Sequence, residues 1–213
     1  MIFAAAPSQS EMLAELTVSP DIDWSRITAF HMDEYLGLAR EAPQRFGLWL
    51  RRAIFDRVPF AAVHLLEPDT DPEATATEYA EKLGTSAIDI VCCGIGSNGH
   101  LAFNDPPADL DDPLDVKIVT LDIACRQQQV DDGCFDRLDQ VPTHALTLTI
   151  PRLLAADRVF CCVPGALKRA AVRRALRDPI SGLVPATALR THSNWSLYLD
   201  QDSAADLASA EAE

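Results

Sequence analysis

Lysine is scarce in this chain: Lys82, Lys117 and Lys168 are the only three, and 18 basic residues stand against 32 acidic ones for a formal charge of −14. That balance repels phosphate backbones and anionic lipid, so neither nucleic acid nor a membrane surface is an expected partner. A halophilic or merely highly soluble surface accounts for the acidity itself. Long apolar runs are missing too. The longest are strand-length, which excludes a membrane-spanning helix. The start, Met1-Ile2-Phe3-Ala4-Ala5-Ala6-Pro7, has no basic region and does not read as a signal peptide. No CxxC spacing points to zinc or redox chemistry, and no metal is expected. The six cysteines form two adjacent pairs, Cys92-Cys93 and Cys161-Cys162, plus Cys125 and Cys134. Neighbours on a strand point to opposite faces and are poorly placed to bridge. Reduced, buried thiols in a cytoplasmic protein are the expectation. Internal repeats and low-complexity linkers are absent as well.

What remains is ordinary globular composition, 48% apolar and 23% charged, over 213 residues, enough for one domain spanning residues 1–213. Strands are predicted over Ile2–Ala5, Arg26–His31, Ile88–Cys93, Val116–Leu121, His144–Ile150, Arg158–Val163 and Trp195–Leu199. Helices are predicted from Pro7-Ser8-Gln9 through Leu16, over Pro43–Phe55 with Phe46, Leu50, Ala53 and Ile54 on one face, over Pro72–Leu83, from Pro151 briefly, and over Gly165–Leu176. The tail after Asp202 is read as a terminal helix or a frayed end. Alternation of strands and helices implies an α/β fold with a mostly parallel sheet and helices on both faces. Such a fold normally opens with a helix before its first strand; here that helix is expected to be absent or to lie upstream.

The densest chemistry follows the apolar run Ile88–Cys93: Gly94-Ile95-Gly96-Ser97-Asn98-Gly99-His100-Leu101-Ala102-Phe103-Asn104-Asp105-Pro106-Pro107. Glycines let backbone approach a ligand, and His100 with Asp105 offers an acid/base pair. The Gly94-x-Gly96-x-x-Gly99 spacing matches a dinucleotide turn, but the prolines leave no room for the helix that turn requires, so a nicotinamide is not expected. Asp33 and Glu34 lie immediately beyond a second strand end. Pro164-Gly165-Ala166-Leu167-Lys168 opens a helix after a third, and Ala6-Pro7-Ser8-Gln9 opens one after the first. Helix starts of this kind attract anions. Acid/base groups and two anion sites along one sheet edge suggest a phosphorylated small molecule.

With these stretches together, the chain resembles the glucosamine-6-phosphate deaminase (isomerase) family, from about Ile2 to Ser203. Met32-Asp33-Glu34-Tyr35 and the Gly94–Pro106 run carry the likeness. The resemblance implies a Rossmann-like three-layer fold, conversion of glucosamine 6-phosphate to fructose 6-phosphate and ammonium, and neither redox cofactor nor catalytic metal. It implies Asp33 as the base moving a proton between C2 and C1, and His100 as the residue assisting ring opening. Asp105 falls where the family usually has a longer glutamate in relay with that histidine, and Asn98 where members carry aspartate or asparagine. Ser8, Gln9, Gly96, Lys168 and Arg126 are the implied substrate and phosphate contacts, Arg126 standing in for an arginine in a family Asn-Ser-Arg-Phe-Phe stretch. Pro7 removes one donor from the phosphate loop. A homo-oligomer is compatible, since members range from monomers to hexamers. The alternatives are a 6-phosphogluconolactonase-type hydrolase and a sugar-phosphate-binding relative with a different substrate.

Overall fold

A computed structural model describes residues 1–68, 71–84 and 88–208. Six strands, β1 (Ile2–Phe3), β2 (Thr28–His31), β4 (Ala62–Val63), β5 (Ile88–Cys93), β8 (Ala156–Val163) and β9 (Trp195–Leu199), form one sheet in the order β4-β2-β1-β5-β8-β9. Every pairing in it is parallel. In order of occurrence this is the 3-2-1-4-5-6 arrangement of a Rossmann-like sheet. The chain runs outward from β1 in one direction and outward from β5 in the other, so the crevice between those two strands is the topological switch point.

Alternation along the central strands builds the two cores. Ile2, Val91, Cys93, Val159 and Cys161 face one side, with α3 (Pro72–Leu83) and α6 (Arg169–Arg177) packed there through Tyr79, Leu83, Ala171, Val172 and Ala175. Phe3 and Cys92 face the other, with Leu13 of α1 (Ser10–Val18), Leu50 of α2 (Phe46–Leu50), Ile54 and Phe55. Each adjacent cysteine pair is divided between faces, and all six cysteines are free.

A second sheet was not foreseen. Asp33–Tyr35, expected only to lie beyond the end of a strand, is itself a strand, β3, in an antiparallel sheet of order β3-β7-β6 with β7 (His144–Leu148) and β6 (Val116–Thr120). Met32 is the hinge. Its N–H still bonds Phe3 of the main sheet, while its carbonyl accepts from Leu148 of the small one. Four further departures concern single elements. Arg26, expected to open the second strand, ends a 3₁₀ turn (Trp24–Arg26), and β2 begins at Thr28. The Pro43–Phe55 helix begins only at Phe46, and its Arg51–Phe55 half is π-helical. Ile123–Asp131, unassigned from sequence, is α4, capped by the Asp122 carboxylate on the Ala124 N–H. Strand β8 starts at Ala156, before the expected Arg158. The short helix expected at Pro151 is α5 (Ile150–Leu154), and the tail holds α7 (Ala205–Ala208), beyond which residues 209–213 lie outside the described ones. Among the described residues no helix is long and apolar enough to cross a membrane.

Candidate active site

Four adjacent strands, β2, β1, β5 and β8, end at one edge, and the segments that follow them converge on a pocket of about 490 Å³, counting its open mouth. Its wall comprises Ala4, Ala5, Ala6 and Ser8 after β1, Met32 and Asp33 after β2, Gly94, Ile95, Gly96, His100, Ala102 and Phe103 after β5, and Lys168 after β8. Phe46 from α2 and Gln128 and Gln129 from α4 complete it. This lies over the β1/β5 switch point, where open α/β sheets place ligands.

His100 is held from three directions. A Cβ on Gly96 would lie 2.2 Å from its ring, so only glycine lets the imidazole fold back over the loop. Its backbone N–H donates to Asn98 Oδ1 (3.0 Å). Its Nδ1 lies 3.1 Å from Asp105 Oδ1, an ion-pair contact off the line of an ideal hydrogen bond. Asp105 is itself braced: Asn98 Nδ2 donates to Oδ1 (3.0 Å) and the Asp122 N–H to Oδ2 (2.9 Å). Burial pushes the Asp105 carboxyl up, but His100, Asn98 and the Asp122 N–H outweigh it and hold it below the usual carboxylate range. The loop is anchored to β7 through Phe103 N–H on Thr147 Oγ1 and Asn104 Nδ2 on the Leu148 carbonyl.

Asp33 is buried beside the pocket; desolvation first, then the neighbouring Glu34 charge, pushes its carboxyl well up. A base of raised affinity for protons suits abstraction from carbon. Glu34 points away from the pocket. It accepts N–H bonds from Tyr35, Phe46 and Gly47, each 3.0 Å, pinning the start of α2 and so the position of Phe46. Burial raises its carboxyl to about 7 against those N–H groups and Arg45. The ring of Phe46 stacks on Phe103 at 5.6 Å, which makes that wall rigid.

Lys168 forms the part of the wall that follows β8. It is only 8% exposed, and burial lowers its ammonium affinity for protons despite the Asp132 charge. Its ammonium makes no hydrogen bond or ion pair among the described residues and so has donors left for an anion. Ser8 lines the same pocket.

Of the residues singled out from sequence, Ser8, Asp33, Gly96, His100 and Lys168 line the pocket. Asn98 and Asp105 stand behind His100. Gln9 does not reach the cavity: it is fully buried, its Nε2 bonding the Cys162 carbonyl (3.0 Å) and Ser8 Oγ (3.2 Å). Arg126 is absent from the wall as well. Its guanidinium donates to the carbonyls of Leu138 (2.8 Å) and Val141 (2.9 Å). On α4, Cys125, Gln128 and Gln129 share one face and Arg126 another, the spacing of i, i+3 and i+4. A helical reading of the segment after Asp122 reveals this; a loop reading does not.

Residues 7–197 match the family model described as glucosamine-6-phosphate isomerases/6-phosphogluconolactonase. A glucosamine-6-phosphate deaminase of Exiguobacterium sp. is 33% identical over 84% of this chain and 69% of its own length. One from Streptococcus thermophilus is 32% identical over 95% and 86%. Among solved structures, a monomeric glucosamine-6-phosphate deaminase superposes with a TM-score of 0.82 at 28% identity, covering 96% of this chain and 87% of that one. A 6-phosphogluconolactonase from Trypanosoma brucei shares the fold, with a TM-score of 0.72 at 18% identity over 97% and 86%.

Proposed function

The chain belongs to the glucosamine-6-phosphate isomerase/6-phosphogluconolactonase family, and from that premise we propose that it is a glucosamine-6-phosphate deaminase, releasing fructose 6-phosphate and ammonium. The observation that carries the reading is the meeting of Asp33, His100 and Lys168 in one pocket from three separate strand ends. An isomerisation needs a base on the C2 hydrogen and a proton carrier at the ring oxygen; a hydrolysis of a lactone has no use for the first.

In this reading Lys168, with Ser8 and the amides of Gln128 and Gln129, receives the phosphate, which puts the sugar carbons toward Asp33. His100 passes a proton to the ring oxygen as the C1–O bond opens, and Asp105 orients its ring from behind. Asp33 removes the C2 proton from the open-chain amino aldehyde and returns it to C1. The C2 imine that results adds water and expels ammonia, leaving the ketose phosphate. Atoms balance with one water consumed, and no oxidation occurs.

The test is a substrate panel. Glucosamine, galactosamine and N-acetylglucosamine 6-phosphates are compared with 6-phosphogluconolactone, following ammonium, ketose phosphate and acid. Ammonium and fructose 6-phosphate from the first substrate are expected. Acid release from the lactone without ammonium from any amino sugar overturns the reading.

A further inference from the structure

Behind the pocket, His100, Asp105 and Cys125 bring Nδ1, a carboxylate oxygen and Sγ within 4.8 Å of one another. We propose that these three side chains form a zinc site whose occupation switches off His100.

The donor set is chemically specific. Imidazole, carboxylate and thiolate are the ligands of Zn²⁺, whereas Mg²⁺ and Ca²⁺ take oxygen. A tetrahedral zinc at about 2.0–2.3 Å from its ligands separates them by roughly 3.3–3.8 Å, so the widest separation in the group has to close by about 1 Å, within reach of side-chain rotation. The second observation is the His100 nitrogen. Nδ1 is enclosed, in a residue 8% exposed, and has no aligned hydrogen-bond partner. A metal supplies the partner that Asp105 provides only off-line.

The sequence holds this group together across two segments. Asp105 ends the glycine loop, and Cys125 sits in the first turn of α4. The Asp122 N–H at the cap of α4 donates to Asp105 Oδ2 (2.9 Å), clamping helix start to loop. Burial first, then the charges of Asp105, Asp33 and Asp122, push the Cys125 thiol well up, so it keeps its proton until a metal arrives, while the same three carboxylates set a negative field around the group. That field favours a dication, which ionises a coordinating thiol outright. The thiol proton leaves to solvent on binding. Of the three ligands, Asp105 also lines a second cleft, with Asn104, Lys117 and Asp122.

The consequence follows from the ring. With the metal on Nδ1, the Nε2 that faces the pocket keeps its proton. His100 then neither accepts a proton nor relays one to Asp105. Neither Asp105 nor Cys125 lines the pocket, so phosphosugar binding is spared. Zinc therefore lowers kcat and leaves KM in place. Only this kinetic consequence rests on the proposed activity; the binding itself does not.

Cobalt(II), a spectroscopic stand-in for zinc, is titrated into the full chain without substrate. A thiolate-to-cobalt charge-transfer band at one equivalent is expected, bleached by added Zn²⁺, and lost in both Cys125→Ser and Cys125→Ala, with circular dichroism reporting that the variants fold. In turnover, zinc inhibition reversed by a chelator should require at least about tenfold more zinc in Cys125→Ser. Absence of the band in the unmodified chain overturns the proposal. So does a band that survives in both variants, which assigns it to the less buried Cys134 or Cys162, and so does inhibition expressed in KM alone. Failure of the deaminase reading shows separately, as no ammonium from any amino sugar while the cobalt band stands.

Discussion

The two ends of the pocket are built to different standards. At the proton-transfer end the histidine and both carboxylates beside the base have supports, and Asp33 itself is held through its backbone pairing with Thr147. Asn98 and the Asp122 N–H hold Asp105, Asp105 backs His100, Gly96 makes room for its ring, and three N–H groups fix Glu34 beside Asp33. At the anion end, Lys168 is the single lysine or arginine on the wall, its ammonium makes no hydrogen bond or ion pair among the described residues, and Pro7 contributes no N–H. The difference teaches that directed supports gather where a proton would move over a short path, while a diffuse anionic charge would be met by one lysine and neutral amides. Substitutions at the first end should therefore act on kcat, and at the second on KM.

The largest effect is expected from Asp33→Asn. The amide keeps the shape and cannot take the C2 proton, so kcat should fall by about 10²–10⁴-fold with KM little changed. The same residue sets the pH dependence. A base must be ionised, and burial raises the pH at which Asp33 loses its proton. Turnover should therefore rise with pH through that raised value and be poor where an ordinary aspartate is already charged. A flat profile over the acidic range, or near-normal kcat in Asp33→Asn, moves the base elsewhere and breaks the comparison at its stronger end.

Asp105→Asn comes next. Its amide offers a donor where His100 needs an acceptor, favouring the wrong ring tautomer. A loss in kcat of roughly a hundredfold is expected, again with KM held. A change confined to KM would place Asp105 against ligand rather than behind the histidine. Lys168→Ala tests the other end: KM for the phosphorylated sugar should rise at least about tenfold, equivalent to roughly 1.4 kcal/mol. Free glucosamine, lacking the phosphate, should not register the change. If the ester's KM is unmoved, the phosphate lies against Ser8 and the glutamines without the lysine.

Much of this contrast could be read before the structure. Strand ends carry the acid/base groups because a parallel sheet collects its carboxyl termini along one edge, and apolar runs such as Ile88–Cys93 announce those strands directly. Pro72–Leu83 was legible to the residue because a proline starts it and Gly84 follows it. The failures share a cause. Asp33-Glu34-Tyr35 is too short and too polar to look like a strand, and its burial is decided by β7, more than a hundred residues away. Gln9 looks like a ligand contact until the Cys162 carbonyl on a neighbouring strand claims its amide. Phe46, Gln128 and Gln129 reach the pocket only because tertiary packing turns α2 and α4 toward it. Local pattern locates elements and the groups at their ends; it does not tell which face of a distant helix closes a cavity.

Arg126 offers the smallest kinetic effect and the sharpest check on that last point. It sits in the segment where the family places a phosphate arginine, yet its guanidinium is committed to the carbonyls of Leu138 and Val141, tying α4 to the chain that leads into β7. Arg126→Gln cannot reach both carbonyls. Leaving part-buried acceptors unmet costs about 1–3 kcal/mol, and for a chain of this size each kcal/mol lowers Tm by roughly 2–4 °C. The expected outcome is thus a protein that melts several degrees earlier, by calorimetry or circular dichroism, while KM for the phosphosugar stays within about twofold below the transition. The paired measurement is what decides it. A rise in KM comparable to that of Lys168→Ala, with Tm unchanged, would mean that the guanidinium leaves its carbonyls for the phosphate, and the anion end would then hold two cations rather than one.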